Sequence, residues 1–165
     1  MKKTFAKIAL IGLISFSLFS CSKDSVSDEP KDTVSVDAKY SYRSDEDEVL
    51  SLINNHRASL GLVKLEKIDY VSVKSEEHTN YMVSTNTVNH NYFADRYVSI
   101  MSALSAKNVS ENVAYKYSTS QSVVNAWLNS EGHRANIEGD FTHFGISIRT
   151  NSAGEKFYTN IFVKK

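Results

Sequence analysis

Three side chains in this chain sit at positions that secondary structure alone does not explain. His90 lies in Val88-Asn89-His90-Asn91-Tyr92-Phe93, Glu111 in Ser110-Glu111-Asn112-Val113-Ala114, and His133 in Ser130-Glu131-Gly132-His133-Arg134. Each falls at the boundary of an expected element, where remote parts of a chain can converge. Two imidazoles and a carboxylate can ligate a divalent cation such as Zn²⁺, or can supply a proton acceptor and its orienting partner. Each residue also has a structural reading. His133, just past an expected helix end, can donate to free carbonyls and complement the dipole, and Glu111 can pair with Arg134 or cap a turn.

The other histidines fit plainer roles. His78 falls on a buried helical stripe and reads as a core histidine, His56 beside Arg57 as a surface or packing residue, and His143 as the opening of a strand facing solvent or the cleft. There is no Gly-x-Ser-x-Gly elbow, His-Glu-x-x-His, phosphate loop or dinucleotide fingerprint. Ser130 and His133 are three apart, but Gly132 lies between them and nothing places a third member beside the pair.

The chain has 165 residues, with 19 basic and 19 acidic groups, and its single cysteine, Cys21, excludes an internal disulfide. Met1 to Ser20 combine a basic start with an apolar run from Ile8 to Phe19, which reads as a signal peptide. Leu18-Phe19-Ser20-Cys21 resembles the bacterial lipoprotein cleavage box, so Cys21 is the expected lipidation site and, acylated, is no catalytic thiol. Removing residues 1–20 takes away three of the 19 basic groups (Lys2, Lys3, Lys7) and no acid, leaving 16 basic against 19 acidic groups. A nucleic-acid binder needs clustered positive charge, so nucleic acid is excluded as a partner.

Residues 21–43 read as the lipidated Cys and a flexible tether: from Ser22 to Arg43 there is no Leu, Ile, Phe, Met or Trp. Ser22-Lys23-Asp24 resembles the short signal that sends lipoproteins of the Bacteroidota to the cell exterior. The expected location is the bacterial cell envelope, with the lipid on Cys21 in the outer membrane and the domain exposed at the surface. The expected partners are the membrane and an envelope or extracellular ligand (lipid, glycan or protein).

Residues 44–165 must then position the three side chains. Ser44 is the expected N-cap of a first helix carrying Val49, Ile53 and Leu60, with Gly61 at its stop. A second helix is expected from about Ile68 to Ser84, with Val71, Ser75, His78 and Met82 on one stripe. Phe93, Tyr97, Ile100, Met101 and Leu104 mark a third helix. Val123, Val124, Trp127 and Leu128 mark a fourth, with Ser118 and Gln121 as a capping box and Gly132 as terminator. The period then changes to two: Phe144, Ile146 and Ile148, a turn at Asn151-Ser152-Ala153-Gly154, then Phe157, Thr159, Ile161 and Val163 predict a β-hairpin. Val109 to Tyr115 is a further strand. The fold class is α+β, a small antiparallel sheet covered by about four helices.

Ala126-Trp127-Leu128-Asn129-Ser130-Glu131-Gly132-His133-Arg134-Ala135-Asn136-Ile137, preceded by Ser110-Glu111-Asn112-Val113-Ala114 and followed by Phe141-Thr142-His143-Phe144-Gly145-Ile146, resembles the bacterial branch of the CAP superfamily (cysteine-rich secretory proteins, antigen 5 and pathogenesis-related proteins). The resemblance spans about residues 46 to 165 and includes Ile53-Asn54-Asn55-His56-Arg57 as the family's opening Asn-x-x-Arg. It implies an α-β-α sandwich with a central cleft, in which His90 matches the first cleft histidine, Glu111 the acid of Gly-Glu-Asn, and His133 the histidine of Gly-His. Ser110 replaces the glycine of the acidic motif. The second acid of eukaryotic relatives falls near Ser130, and Glu131, one position on, is rotated by about 100° on a helix. Members of the family are linked to lipid or sterol binding, cation binding, signalling and, in a few cases, proteolysis. The implied role is a lipid-anchored binding module whose cleft residues His90, Glu111 and His133 hold Zn²⁺ or another divalent cation. The alternative is a metal-assisted or His-dependent hydrolase of peptide or ester bonds using the same three residues.

Overall fold

The computed structural model describes residues 35–165. The expected signal peptide, Cys21 and the first part of the tether lie outside them. In chain order the elements are α1 (Ser44–Ser59), β1 (Glu66–Lys67), α2 (Asp69–Thr85), α3 (Phe93–Leu104), β2 (Asn108–Tyr115), α4 (Ser120–Asn129), α5 (Glu131–Glu138), β3 (His143–Thr150) and β4 (Lys156–Lys164). The four strands form one sheet in the order β1-β3-β4-β2, in which only the two-residue β1 runs parallel to its neighbour. The expected antiparallel sheet therefore gains a short parallel edge, and five helices cover it where about four were expected. No helix among the described residues is long and apolar enough to cross a membrane.

Strand alternation divides the sheet into two cores. Phe144, Ile146, Ile148, Tyr158 and Phe162 face α1, α4 and α5, where they meet Val49, Ile53, Trp127 and Ile137. Ile161, Val163 and Val109 face the other way, onto Tyr70 and Val71 of α2 and Ile100 of α3. Fully burying one such side chain contributes about 1.5–3 kcal/mol. Helix α2 has a thin apolar stripe because part of its contact is polar and close. Ser75 donates to the Gly145 carbonyl at 3.2 Å and Thr79 to the Thr159 hydroxyl at 2.8 Å. Gly145 is the residue that admits this approach, since a Cβ there would lie 2.5 Å from the Val71 carbonyl carbon.

The boundaries follow local chemistry. Arg43, not Ser44, holds the N-cap of α1, and its N–H donates to Glu46 Oε2 at 2.9 Å. At the other end Gly61 has φ +72°, and the Leu62 and Gly61 amides donate back to Arg57 and Ala58, a Schellman closure. The capping pair of α4 is Thr119 and Ser122, one residue beyond the expected Ser118 and Gln121. Gly132 does not end that helix. Ser130, in extended conformation, breaks the chain direction, its carbonyl accepts from Arg134, and Gly132 lies in the first turn of the new helix α5.

The described end of the segment read as tether is tied to the domain. Tyr40 donates to Glu46 Oε1 at 2.8 Å, and the Tyr42 hydroxyl lies 2.9 Å from that of Ser72. Both contacts use the tyrosine hydroxyl, so a stretch without Leu, Ile, Phe, Met or Trp still packs.

Arg57 is the largest polar anchor. Its guanidinium, 1% exposed, donates to the carbonyls of Val63, Ile137, Gly139 and Phe141 at 2.7–3.1 Å. One helix-borne side chain thereby satisfies main-chain acceptors on both sides of the path into β3. Asn54, three residues earlier, closes the α1–β1 loop by exchanging two hydrogen bonds with the Leu65 backbone.

Candidate functional site

Strand β2 is an edge strand, and a cavity of about 530 Å³ lies beside it. Val88, Asn89 and His90 form one wall, residues 113–115 the floor, and Ala126, Trp127, Ser130 and His133 the opposite wall. The lining joins an apolar region around Val113, Tyr117 and Trp127 to a polar one carrying the two imidazoles.

Glu111 projects from β2 toward α3, with its side chain 1% exposed. Arg96 of α3 grips the carboxylate through Nε at 2.9 Å to Oε2 and through Nη2 at 2.9 Å to Oε1. His90 Nδ1 lies 2.8 Å from Oε1, with the ring half exposed. A carboxylate only accepts, so Nδ1 carries the proton, and in the neutral tautomer the lone pair is on Nε2. Arg96 Nη1 also donates to the Asn91 carbonyl at 2.8 Å, fixing the loop that bears His90. His78 supports the same loop from below. Its Nε2 is 2.8 Å from the Asn89 carbonyl, while its buried Nδ1 has no partner among the described residues. Burial and, next, the charge of Arg96 hold the His78 ring below the ordinary histidine pKa.

His133 is the third residue of α5, in the first turn of a helix and not beyond a helix end, so the carbonyl-capping reading does not apply. Its imidazole lines the cavity and makes no hydrogen bond among the described residues, and burial followed by the charge of His90 lowers its pKa. The neutral form, the one that ligates a cation, is thereby favoured at His133, while at His90 the carboxylate fixes which nitrogen is free.

The structure thus brings His90 and His133 to one cleft and His90 to Glu111, but turns Glu111 away from the cavity. No three His, Cys, Asp or Glu side chains among the described residues form a group able to hold a metal. Both oxygens of Glu111 accept hydrogen bonds, from Arg96 and from His90, so in this arrangement the carboxylate orients the His90 ring. Nor does it pair with Arg134, whose Nη1 donates to the Leu128 carbonyl. His56 pairs with Glu138 at 2.8 Å, and His143 sits at the β1 side of the sheet against Thr142, outside the cleft. The cleft thus carries a pair of imidazoles, one of them braced by a buried carboxylate.

Residues 50–163 match the family model described as CAP, the cysteine-rich secretory protein family. The chain belongs to the CAP family. Its domain is 33% identical over 126 residues to the uncharacterized membrane protein YlbC of Bacillus subtilis, covering 73% of this chain and 34% of that protein. It is 32% identical over 120 residues to the uncharacterized protein YkwD of the same organism, covering 70% of this chain and 47% of the relative. The chain therefore spans between a third and a half of the length of these relatives. Among solved structures, an outer surface protein of Borrelia burgdorferi superposes with a TM-score of 0.68 at 23% identity, covering 78% of this chain and 98% of that one. An extracellular SCP-domain protein of Bacillus anthracis gives a TM-score of 0.63 at 23% identity, over 77% of this chain and 45% of that one. At these identities the structures establish the shared fold.

Arg96 positions the site without belonging to any of the motifs read from the sequence. It stands four residues before Ile100 on the stripe that α3 turns inward. A charge on an apolar stripe implies a buried counter-charge, which here is Glu111.

Proposed function

We propose that this CAP domain is an exported binding module of the cell envelope, anchored through a lipid on Cys21, whose cleft holds a divalent cation of the zinc class between His90 and His133. The observation that carries it is the division of labour at His90. Glu111 and Arg96 occupy each other and the Nδ1 side of the ring, so Nε2 is the nitrogen left for a ligand. His133 shares the cavity with a side chain that the described residues leave without a hydrogen bond. A bound cation would supply an electrophilic centre for a carboxylate, phosphate or carbonyl of the envelope ligand, whose apolar part would lie along Val113, Tyr117 and Trp127. Relatives named as a membrane protein, an outer surface protein and an extracellular protein support a place outside the cytoplasm.

Isothermal calorimetry with Zn²⁺ tests the cation site. The wild-type protein binds one equivalent, and His90→Ala and His133→Ala each abolish measurable binding; unaltered binding in the double variant defeats the assignment. For the anchor, Cys21→Ser moves the protein from the membrane fraction to the soluble one. The alternative, hydrolysis with His90 as general base, has its support in the same carboxylate–imidazole pair. Turnover of peptide or ester substrates that vanishes in Glu111→Gln would favour it.

A further inference from the structure

We infer that the consecutive residues Glu111 and Asn112 form a two-faced bracket that sets the separation of the cleft imidazoles, with Asn112, backed by Asn136, as the positioning residue of His133. The inference rests on the reading of His90 and His133 as the functional pair. Adjacent side chains on a strand point to opposite faces. Glu111 uses one face of β2 to hold the His90 ring. Asn112, fully buried on the other face, donates through Nδ2 to the His133 carbonyl at 3.0 Å and accepts through Oδ1 from Asn136 Nδ2 at 2.8 Å. Asn136 also donates to the Glu111 carbonyl at 3.3 Å, so the bracket is braced from α5.

This hold matters because, beside it, one other side-chain hydrogen bond among the described residues holds that end of α5, Arg134 on the Leu128 carbonyl. The helix has eight residues, a length that is not stable alone, and no side-chain hydrogen bond at its N-cap. Its buried apolar anchor is Ile137, one turn beyond His133, and Arg57 grips the carbonyls of Ile137 and Gly139 at the far end. Two side-chain contacts hold the turn that carries His133, Arg134 Nη1 on the Leu128 carbonyl and the Asn112 amide on the His133 carbonyl, and the second is the one that grips the histidine's own peptide. An amide is needed because the side chain must donate to one partner and accept from another at once. Aspartate lacks the donor, and leucine lacks both.

The test uses Asn112→Ala and, since a fully buried amide can be essential for folding, Asn136→Ala, whose site is partly exposed. Ring ¹H–¹³C spectra of the metal-free protein report each imidazole, amide exchange reports the first turn of α5, and Zn²⁺ calorimetry reports the pair. In Asn112→Ala the His133 ring signals shift or broaden while those of His90 stay, amides of residues 131–134 exchange about tenfold faster or more, and Zn²⁺ affinity falls about tenfold or more. Asn136→Ala moves the same signals in the same direction by a smaller factor. Unchanged His133 signals in a folded variant overturn the bracket, and so does an equal disturbance of both rings, which would mark a merely structural role. Should the wild type bind no Zn²⁺, the cation reading fails, while the ring spectra still decide the bracket.

Discussion

Replacing Arg96 by methionine removes the guanidinium and keeps most of the side-chain volume. Glu111, with a side chain 1% exposed, then loses the contacts of 2.8–2.9 Å that balance its charge and retains only His90. Breaking a buried ion pair from one side costs about 3–5 kcal/mol, which for a domain of this size lowers Tm by about 10–20 °C. Glu111→Leu leaves the guanidinium uncompensated and falls in the same range. The double variant places two apolar side chains against each other and recovers stability, giving a coupling of about 2–3 kcal/mol by urea denaturation. Zn²⁺ affinity does not recover with it, because the double variant lacks both the Arg96 bond to the Asn91 carbonyl and the carboxylate that orients His90; a loss of about 10–100-fold remains. Single variants within about 1 kcal/mol of wild type, or a double variant with undiminished Zn²⁺ binding, would refute the view that Arg96 and Glu111 together aim the cleft histidine.

Other outcomes follow from the same contacts. His78, His133 and His143 are all held below the ordinary histidine pKa by burial, so the unfolded chain takes up more protons than the folded one. Stability is then full above the unfolded pKa of about 6.5 and declines as pH falls through the lowered folded values; urea midpoints from about pH 7.5 to 5 should drop, and a flat profile contradicts the assignment. Cation binding should weaken over the same interval, measured by calorimetry, because protonated imidazole is no ligand. Gly145→Ala drives a methyl to 2.5 Å from the Val71 backbone and should cost about 3 kcal/mol or more, seen as a large fall in Tm. Arg57→Lys keeps the charge but cannot serve four carbonyls at once, and should cost about 4 kcal/mol; a loss below about 1 kcal/mol in denaturation would mean the clamp is redundant.

The period of the apolar residues is enough to place α2, α3 and the β3–β4 hairpin within a residue or two, because each buries a regular stripe. Irregular features escape it. Ser130 breaks α4 from α5 through its backbone conformation, while Gly132, the residue that looks like a terminator, sits inside a helix where its side of the chain is open. Strand β1 is two residues long, too short to show any alternation. At the site, residue types identify the two histidines that share the cleft, but the direction of Glu111 depends on Arg96, and pairing across 15 residues leaves no local pattern. The same holds for Asn112, whose partners lie 21 and 24 residues away.

Arg57 imposes an order on folding. The acceptors it serves in the α5–β3 segment lie 80 to 84 residues further along the chain. Until those carbonyls arrive, packing α1 would strand a cation in an apolar environment, so the first helix stays undocked while most of the polypeptide is still being delivered. Long-range closure of this kind favours a chain that remains unfolded until nearly all of it is present.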